Sequence, residues 1–379
     1  MRSSVNRQAA IDIALVIDTL GRGGAERVLV SIANGLDPMR FRVHVIETRE
    51  SGDLARELAP HVTLHSLGRR MRWDIMAVRR LAALFEQNGI RLVHTHSHTA
   101  AYLVRIVRFL TNQRWVHVVH DHYGPIDDAL LYRRIDRWLL RNVDHYFAVS
   151  EPLRRYAAGS VGVPEERCER LLNGVLVPNS VVAPKANVFT IAHIGRVFPE
   201  KNHDMALAVA ALLRRDLPAF RWLFIGRSNS AYAQSCREAV SRMNLGDHIV
   251  FLGERDDIAE LLASTHVGVL TSLQEGLPLA LLEYMAARLP VVVTDVGECG
   301  NTVRSSGGGT VVPSEDVVAF ANALRRFATD PHAASAAGAA NYQYVRAHYT
   351  SEVMVRRVAQ VYDGLLSRRL ANGEKRSAL

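Results

Sequence analysis

Along most of the chain, short apolar runs of strand length alternate with longer segments whose apolar positions recur every three or four residues. Runs such as "IDIALVI" (11–17) and "PVVVT" (290–294) are almost continuously apolar, the pattern of strands covered on both faces. The pattern predicts strands over 11–17, 42–47, 62–66, 91–95, 115–120 and 144–149, with helices over 25–36, 74–88, 98–110, 127–141 and 150–158 between them. It pauses over 157–188, a stretch rich in Gly, Pro and Asn. Strands resume near 189–194, 221–226, 248–252, 266–270 and 290–294, again separated by helices. Beyond residue 310, "SEDVVAFANALRRFATD" and "SEVMVRRVAQVYDGLLSRRL" read as amphipathic helices, and "ANGEKRSAL" (371–379) reads as a frayed end.

Strands alternating with helices predict an α/β architecture with mainly parallel sheets. A chain of 379 residues exceeds one ordinary core, so the pause is read as the passage from one doubly wound domain to a second.

Composition adds little to this and charge adds more. Apolar residues make up 48% and charged residues 22%, as in water-soluble globular proteins. Arg2 and Arg7 precede an apolar stretch as in a secretory signal, but Asp12 and Asp18 interrupt it and no small-residue cleavage site follows. No run approaches the roughly 18 to 20 apolar residues that span a membrane. Cys168, Cys236 and Cys299 are spaced neither as a disulfide framework nor as metal ligands, so a reducing cytoplasm is the expected compartment. The net charge of +8 is uneven: residues 1–180 carry 25 Arg or Lys against 19 Asp or Glu, and the remainder 21 against 19. Arginines gather in 68–73, at Arg79 and Arg80, in 105–110 and in 132–141, interleaved with Trp73, Phe109 and Trp138. One such cluster reads as a solvated helix face. Several in one half make an anionic membrane surface or an acidic ligand a candidate partner. Nucleic acid is not expected, for lack of a recognition helix, zinc finger or stacking sheet.

In open parallel sheets, ligands lie beyond the carboxyl ends of the strands. After the first strand, "DTLGRGGAER" (18–27) brings Gly21, Gly23 and Gly24 into a helix start; a phosphate or sugar cradle and a plain turn fit equally. "VHTHSH" (93–98) offers His94, His96 and His98. Polar closure of a strand end is preferred there to a metal site, because no carboxylate or cysteine completes a ligand set. His120 in "VVHDHYG" (118–124) ends an apolar run and is expected at a cleft mouth, where neutral imidazole can serve a sugar hydroxyl or a proton; a core histidine is the equal alternative.

The second half is more telling. "IAHIGRVFPEKN" (191–202) closes a strand with Gly195 and adds Arg196 and Lys201, two cations that can grip a diphosphate. "FIGRSNS" (224–230), with Gly226, and "VFLGERDD" (250–257) repeat the order strand, glycine, polar loop, which suggests a nucleotide across the sheet edge. "QEGLPLALLE" (274–283) sets Glu275, Gly276 and Leu277 ahead of Pro278 in the first turn of a helix, whose amides and dipole favour an anionic or oxygen-rich ligand. That helix is apolar almost all round, so Glu283 is expected to be a buried carboxylate held by ribose hydroxyls or by an arginine.

In their order along the chain, "GGAER", "VHTHSH", "VVHDHYG", "LLNGV", "GRVFPEKN", "FLGERDD" and "QEGLPLALLEYMAARLPVVVTDVGE" resemble the retaining glycosyltransferases of the GT-B fold, family four of the sequence classification, from residue 11 to about 366. The resemblance implies two Rossmann-like doubly wound domains facing across a cleft. An acceptor-binding domain would span 1–176, a nucleotide-sugar-binding domain 177–350, and a segment over 351–379 would carry a helix crossing back to the first. It also implies a UDP- or GDP-linked sugar as co-substrate, with no further cofactor and no metal. Arg196 and Lys201 would hold the diphosphate, Glu275 and the amides around Gly276, Leu277 and Pro278 the transferred sugar, and Glu283 the ribose. His120 would lie near the sugar's reacting face, and Gly23 and Gly24 near the phosphates or acceptor. Two positions depart from the family pattern: Arg288 stands where glycine is usual, and "VGECGNTV" (296–303) replaces the commoner Gly-Gly-x-x-Glu.

Glycosidase carboxylate pairs stand roughly 5 to 9.5 Å apart, and eight helical steps would give about 12 Å. With Glu275 in a turn and Glu283 leaving the second turn of a helix, the pair reads as positioning a donor. The expected reaction moves a sugar to a hydroxyl of a glycan or polyprenyl-linked acceptor, with the retention that the resemblance implies. Cations and the helix start would stabilise the leaving diphosphate. Abundant arginine and alanine with scarce lysine associate the chain with a GC-rich bacterium, where cell-surface polysaccharide assembly is the expected setting. The alternatives are a nucleotide-sugar epimerase of the same fold and a noncatalytic nucleotide-sugar-binding or membrane-adaptor protein. A pyridoxal phosphorylase would have to draw its Schiff base from Lys185, Lys201 or Lys375, the only lysines.

Overall fold

Two parallel sheets carry the fold in the computed structural model, which describes residues 10–49, 52–71, 74–111, 113–122, 130–177, 184–217 and 219–377, with backbone alone over 130–133 and 372–377. The first sheet is built from β1 (Ile11–Ile17), β2 (Phe41–Glu47), β3 (Thr63–Ser66), β4 (Leu92–Thr95), β5 (Val116–Asp121), β6 (His145–Ala148) and β7 (Cys168–Arg170), in the order β3-β2-β1-β4-β5-β6-β7. The second is built from β8 (Phe189–Ile194), β9 (Phe220–Ile225), β10 (Ile249–Gly253), β11 (Val267–Leu270), β12 (Val291–Thr294) and β13 (Gly309–Val312), in the order β10-β9-β8-β11-β12-β13. Each order reverses beside the sheet's first strand, between β1 and β4 and between β8 and β11. Each sheet is therefore doubly wound, with a topological switch point.

The central strands are buried because helices cover both faces: Ile13 to Val16, and Val291 to Val293, have no exposure. Short polar side chains start the helices. Ser97 accepts from the Ala100 amide (3.1 Å), Asn202 from Met205 (3.2 Å) and Ser230 from Ala233 (3.1 Å). Each such cap satisfies an otherwise orphaned amide and contributes about 1 kcal/mol.

The chain divides into one unit of Met1–Gly174 with Ser351–Leu379 and another of Val175–Thr350. The last helix, Ser351–Ser377, joins the first unit through named contacts. Gly35, ending the helix Gly24–Gly35, has room only for hydrogen against Val355, whose methyl would lie 3.0 Å from an added Cβ. The Tyr362 hydroxyl meets His94 Nδ1 at 2.7 Å, Arg40 pairs with Asp363 at 2.5 Å, and Arg357 grips Glu169 of β7 through two bonds of 2.5 and 2.8 Å. Burial would raise the Glu169 carboxyl, but His145 and Arg357 outweigh it and hold it at about 2. A depressed carboxylate stabilises the fold above its unfolded value of 4.5, and that contribution fades as pH falls towards 2. Glu169→Gln should therefore cost roughly 1 kcal/mol at neutral pH, about 2 °C in melting temperature, with the modest figure reflecting a half-exposed Arg357. Thermal melts from pH 7 down to pH 2 should show the two proteins converging; equal melting at pH 7 would count against the clamp.

Several elements differ from the pattern reading. β7 and β13 are edge strands of three and four residues, too short to show a period. The helix Pro331–His348 is rich in alanine, so its buried face is faint in sequence; it is anchored by Asn341, whose Nδ2 donates to the carbonyls of Leu289 (2.8 Å) and Gly308 (2.7 Å). The helix expected over 150–158 ends at Tyr156 and passes into a wider turn, Ala157–Val161, closed by left-handed Gly162. The helix expected over 127–141 is seen as Leu130–Leu140, and 127–129 lie outside the described residues. The final helix continues to Ser377, into the segment expected to fray. A helix nucleated by packed turns extends at little further cost.

Candidate functional site

The switch point of the second sheet is open by construction. β8 and β9 pair at six positions, whereas β8 and β11 pair only at Ile191 with Val267 and at Ala192 with Gly268 before their carboxyl ends part. Tyr284, from the buried helix Leu279–Ala286, fills the gap. Its hydroxyl accepts from the Ile194 amide (2.5 Å) and reaches the Val269 carbonyl (3.3 Å), bracing both strands. Burial pushes this phenol's pKa up. Gly268 makes the packing possible, since a Cβ there would lie 2.3 Å from the tyrosine ring.

Lys201 and Glu275 meet beside this gap. Lys201 closes the short helical turn Pro199–Lys201 after β8, and Glu275 lies in the loop after β11. Lys201 Nζ stands 2.5 Å from Glu275 Oε1, with side chains 18% and 8% exposed. The same oxygen accepts from the Ser272 hydroxyl at 2.7 Å. Bonds to backbone carbonyls fix the two loops: Leu273 N–H donates to that of Glu200 (2.9 Å), the Thr271 hydroxyl to that of Lys201 (2.9 Å), and the Thr294 hydroxyl to that of Ser272 (2.7 Å). From the far side, Glu298 N–H donates to the Gly276 carbonyl (2.8 Å). Gly297, at φ +53°, lies so close that a Cβ would sit 2.1 Å from the Glu275 carbonyl oxygen. Pro278 is the residue just before the helix rather than within its first turn, and no side chain caps the amides that follow. Leu277 is buried behind it.

Other expected site residues are placed differently. Arg196 is half exposed, paired with Glu200 at 3.6 Å and lying over the Phe198 ring at 5.1 Å, so the two cations have unlike settings. Gly195 and Gly226 lie side by side in the ladder, where Gly195 N–H donates to the Ile225 carbonyl (2.9 Å) and Gly226 N–H to that of Gly253 (2.7 Å). A Cβ on Gly226, at φ +144°, would meet the Gly195 carbonyl oxygen at 2.4 Å, so close backbone approach alone demands this glycine. Glu283 is partly exposed rather than buried, because it leaves the helix on the one side that Leu281, Leu282, Tyr284 and Met285 do not occupy. Arg288 holds the left-handed conformation (φ +58°) that explains glycine as the usual residue, and its guanidinium rests 3.8 Å from the centre of the Tyr342 ring. Ser272, Tyr284 and Gly297 were not singled out from sequence. Ser272 and Gly297 do follow strands; Tyr284 in an apolar helix carries no signal beyond core.

In the first unit, histidines crowd the carboxyl ends of β4 and β5. His94, His96 and His120 are 0%, 0% and 1% exposed, with His94 and His120 stacked at 5.4 Å. His120 is thus enclosed rather than at an open mouth, because His94, His96, His122 and Phe147 pack around it. Burial first, then neighbouring imidazoles, push the pKa values of all three down, so the rings are neutral. His98 differs: burial lowers it, but Asp121 at 3.4 Å and Asp136 at 3.8 Å outweigh that and raise it to about 9. Gly23 and Gly24 begin the first helix, and Glu26 folds its carboxylate back to Gly23, 2.1 Å from where a Cβ would stand. The chain's own acid therefore closes this turn.

Comparison with known proteins places these features in a family. A model described as Glycosyltransferase Family 4 matches residues 22–176, and one described as Glycosyl transferases group 1 matches residues 188–330. The Escherichia coli UDP-Gal:alpha-D-GlcNAc-diphosphoundecaprenol alpha-1,3-galactosyltransferase is 26% identical over 332 residues, covering 81% of this chain and 85% of its own. Lipopolysaccharide core biosynthesis mannosyltransferase LpsB of Rhizobium meliloti is 29% identical over 177 residues, 45% of this chain and 50% of its own. The crystal structure of Anabaena HepE in complex with UDP-glucose superposes with a TM-score of 0.82 at 18% identity, covering 93% of this chain and all of that one. Two matched models, one over most of each sheet, with a shared fold, make this chain a member of the group 1, family 4 glycosyltransferases of the GT-B fold.

Proposed function

We propose that the enzyme transfers a sugar, with retention of anomeric configuration and without a metal at the diphosphate, from a nucleoside-diphosphate sugar to a hydroxyl of a lipid-linked or glycan acceptor. The observation that carries this reading is the Lys201–Glu275 pair beside the switch point of the second sheet. Lys201 and Arg196 hold the diphosphate, and the uncapped helix start adds its dipole. Glu275, kept in place by Ser272, receives a sugar hydroxyl, and Glu283, open to solvent on one side, takes the ribose. As the bond to the sugar breaks, charge grows on the leaving phosphate, which the cations stabilise. The acceptor hydroxyl passes its proton to that phosphate from the same face, which preserves configuration. For His120 and the Gly23–Gly24 turn to serve the sugar or acceptor, the packing around His120 and the Glu26 carboxylate at Gly23 must open on binding. The E. coli relative, named for a UDP-sugar donor and a diphosphoundecaprenol acceptor, and LpsB, named for lipopolysaccharide core biosynthesis, support a bacterial cell-surface pathway run from the cytoplasm. Incubation with a panel of nucleotide sugars, with and without polyprenyl-diphosphate glycans, tests the reading. Product on the acceptor supports it, isomerised donor alone would show an epimerase, and binding without turnover an adaptor.

An anionic membrane surface is part of the proposal. Phe109 and Trp138 are 58% and 62% exposed and stacked at 5.3 Å, with Leu110 exposed beside Phe109 and Arg134, Arg137 and Arg141 exposed around Trp138. Aromatic rings amid arginines suit the interface of anionic lipid. Not every arginine of the sequence clusters contributes: Arg69 is buried against Asp18 at 3.0 Å and Arg105 is buried beneath Phe109, while Trp73 lies outside the described residues. Among the described residues no helix is long and apolar enough to cross a membrane. The protein should float with vesicles containing phosphatidylglycerol, and Phe109→Ser with Trp138→Ser should abolish flotation; no binding by the unaltered protein would refute this part.

A further inference from the structure

The histidine cluster of the first unit goes beyond the transfer reaction. His94, His96 and His120 each present one ring nitrogen, and these nitrogens lie within 4.8 Å of one another. Nε2 of His94, Nε2 of His96 and both nitrogens of His120 are buried with no hydrogen-bond partner among the described residues. Orphaned polar atoms so deep in a protein are uncommon and call for an explanation. For His94 and His96 the opposite nitrogens supply one, whereas His120 has no such outer partner among the described residues. His94 Nδ1 is engaged by the Tyr362 hydroxyl at 2.7 Å, and His96 Nδ1 faces His122 Nε2 at 3.2 Å. An outer partner on one ring nitrogen, with the other turned inward, is how proteins orient imidazoles towards a metal.

We infer that His94, His96 and His120 form a site for a single divalent transition-metal ion of the zinc class. Three imidazoles suit zinc, cobalt, nickel and copper and disfavour magnesium and calcium, which require oxygen. Ligation draws the three nitrogens to about 2.0–2.1 Å from the ion and leaves a fourth position for water. The sequence shows two of the ligands in "VHTHSH"; the third comes from the adjacent strand, because β4 and β5 pair in parallel with His94 opposite Val118, two residues before His120. No carboxylate is needed to complete the set. An ion held here occupies the His120 lone pair, so its loading competes with any role that ring has in transfer and inhibits the enzyme.

The test uses the full chain, stripped with a chelator and titrated with Co²⁺ and then Zn²⁺. One Co²⁺ per chain with the visible bands of low-symmetry imidazole ligation is expected, displaced by one Zn²⁺. His94→Ala and His96→Ala should each weaken Zn²⁺ binding roughly 100-fold or more. Tyr362→Phe, which keeps the packing and removes only the hydroxyl, should weaken it about 10- to 100-fold. X-ray absorption of the unaltered Zn²⁺ protein keeps the inference open to refutation if a variant fails to fold; three imidazoles in the first shell support it. A sulfur-containing shell, an absent cobalt spectrum, or affinity unchanged in both alanine variants, as binding at the His44–His65 pair would give, overturns it. These are binding measurements, so they stand or fall apart from the proposed transfer.

Discussion

Lys201→Ala is expected to lower turnover by about 100- to 1,000-fold, the usual loss when one preorganised donor to a developing charge is removed, or roughly 3–4 kcal/mol of transition-state stabilisation. The structure adds a consequence that the sequence does not hold. Lys201 pairs with Glu275 at 2.5 Å, so its removal leaves a carboxylate, 8% exposed, that keeps the Ser272 hydroxyl but loses its cation. Part of any loss could then arise from a displaced Glu275 rather than from the diphosphate. The double variant Lys201→Ala/Glu275→Gln isolates the stability part: neutralising the acid should restore whatever melting temperature the single variant lost, while turnover stays low with both donor contacts altered. If turnover returned with stability, Lys201 would be a partner for Glu275 and no more. Near-normal turnover in Lys201→Ala itself would sink the diphosphate assignment.

Both sheets were legible because parallel strands covered on both faces write themselves as unbroken apolar runs. The loops after β8 and β11 were legible for a related reason: glycines and charges stand out directly after such runs. What stayed hidden lies in contacts between distant segments. Nothing in the sequence says that Lys201 and Glu275, 74 positions apart, share an ion pair, because that depends on β8 and β11 being neighbours at the switch point. Gly226 shows how one pattern can have two causes: its place in a strand–glycine–loop order suggested a ligand, and the Gly195 carbonyl, in the space where a side chain would begin, requires glycine there with or without one. Glu283 was misjudged because a helix with high average apolarity can still keep one open side. The grouping of His94 and His96 with His120 stayed hidden for the same reason as the Lys201–Glu275 pair, since His94 and His120 stand on different strands.

Gly297→Ala should disable the site without removing any group proposed to contact substrate. A methyl at this position would lie 2.1 Å from the Glu275 carbonyl oxygen and 2.6 Å from that of Gly276, and both are backbone atoms that cannot swing aside. The loop that carries Glu275 must therefore move, and displacement near 1 Å is enough to cost about 100-fold in rate. Alanine also pays about 1–2 kcal/mol for the left-handed φ of +53°, so the melting temperature should fall as well, and a fall alone would not implicate the loop. Gly307 provides the comparison. It has φ +67° and nothing within 4 Å of an added Cβ, so Gly307→Ala carries the same backbone strain with no collision. Both variants should lose stability through strain, Gly297→Ala more because of its collision, and only Gly297→Ala should lose turnover. Equal turnover in the two, measured well below their melting temperatures, would show that the position of the Glu275–Gly276 backbone does not govern transfer.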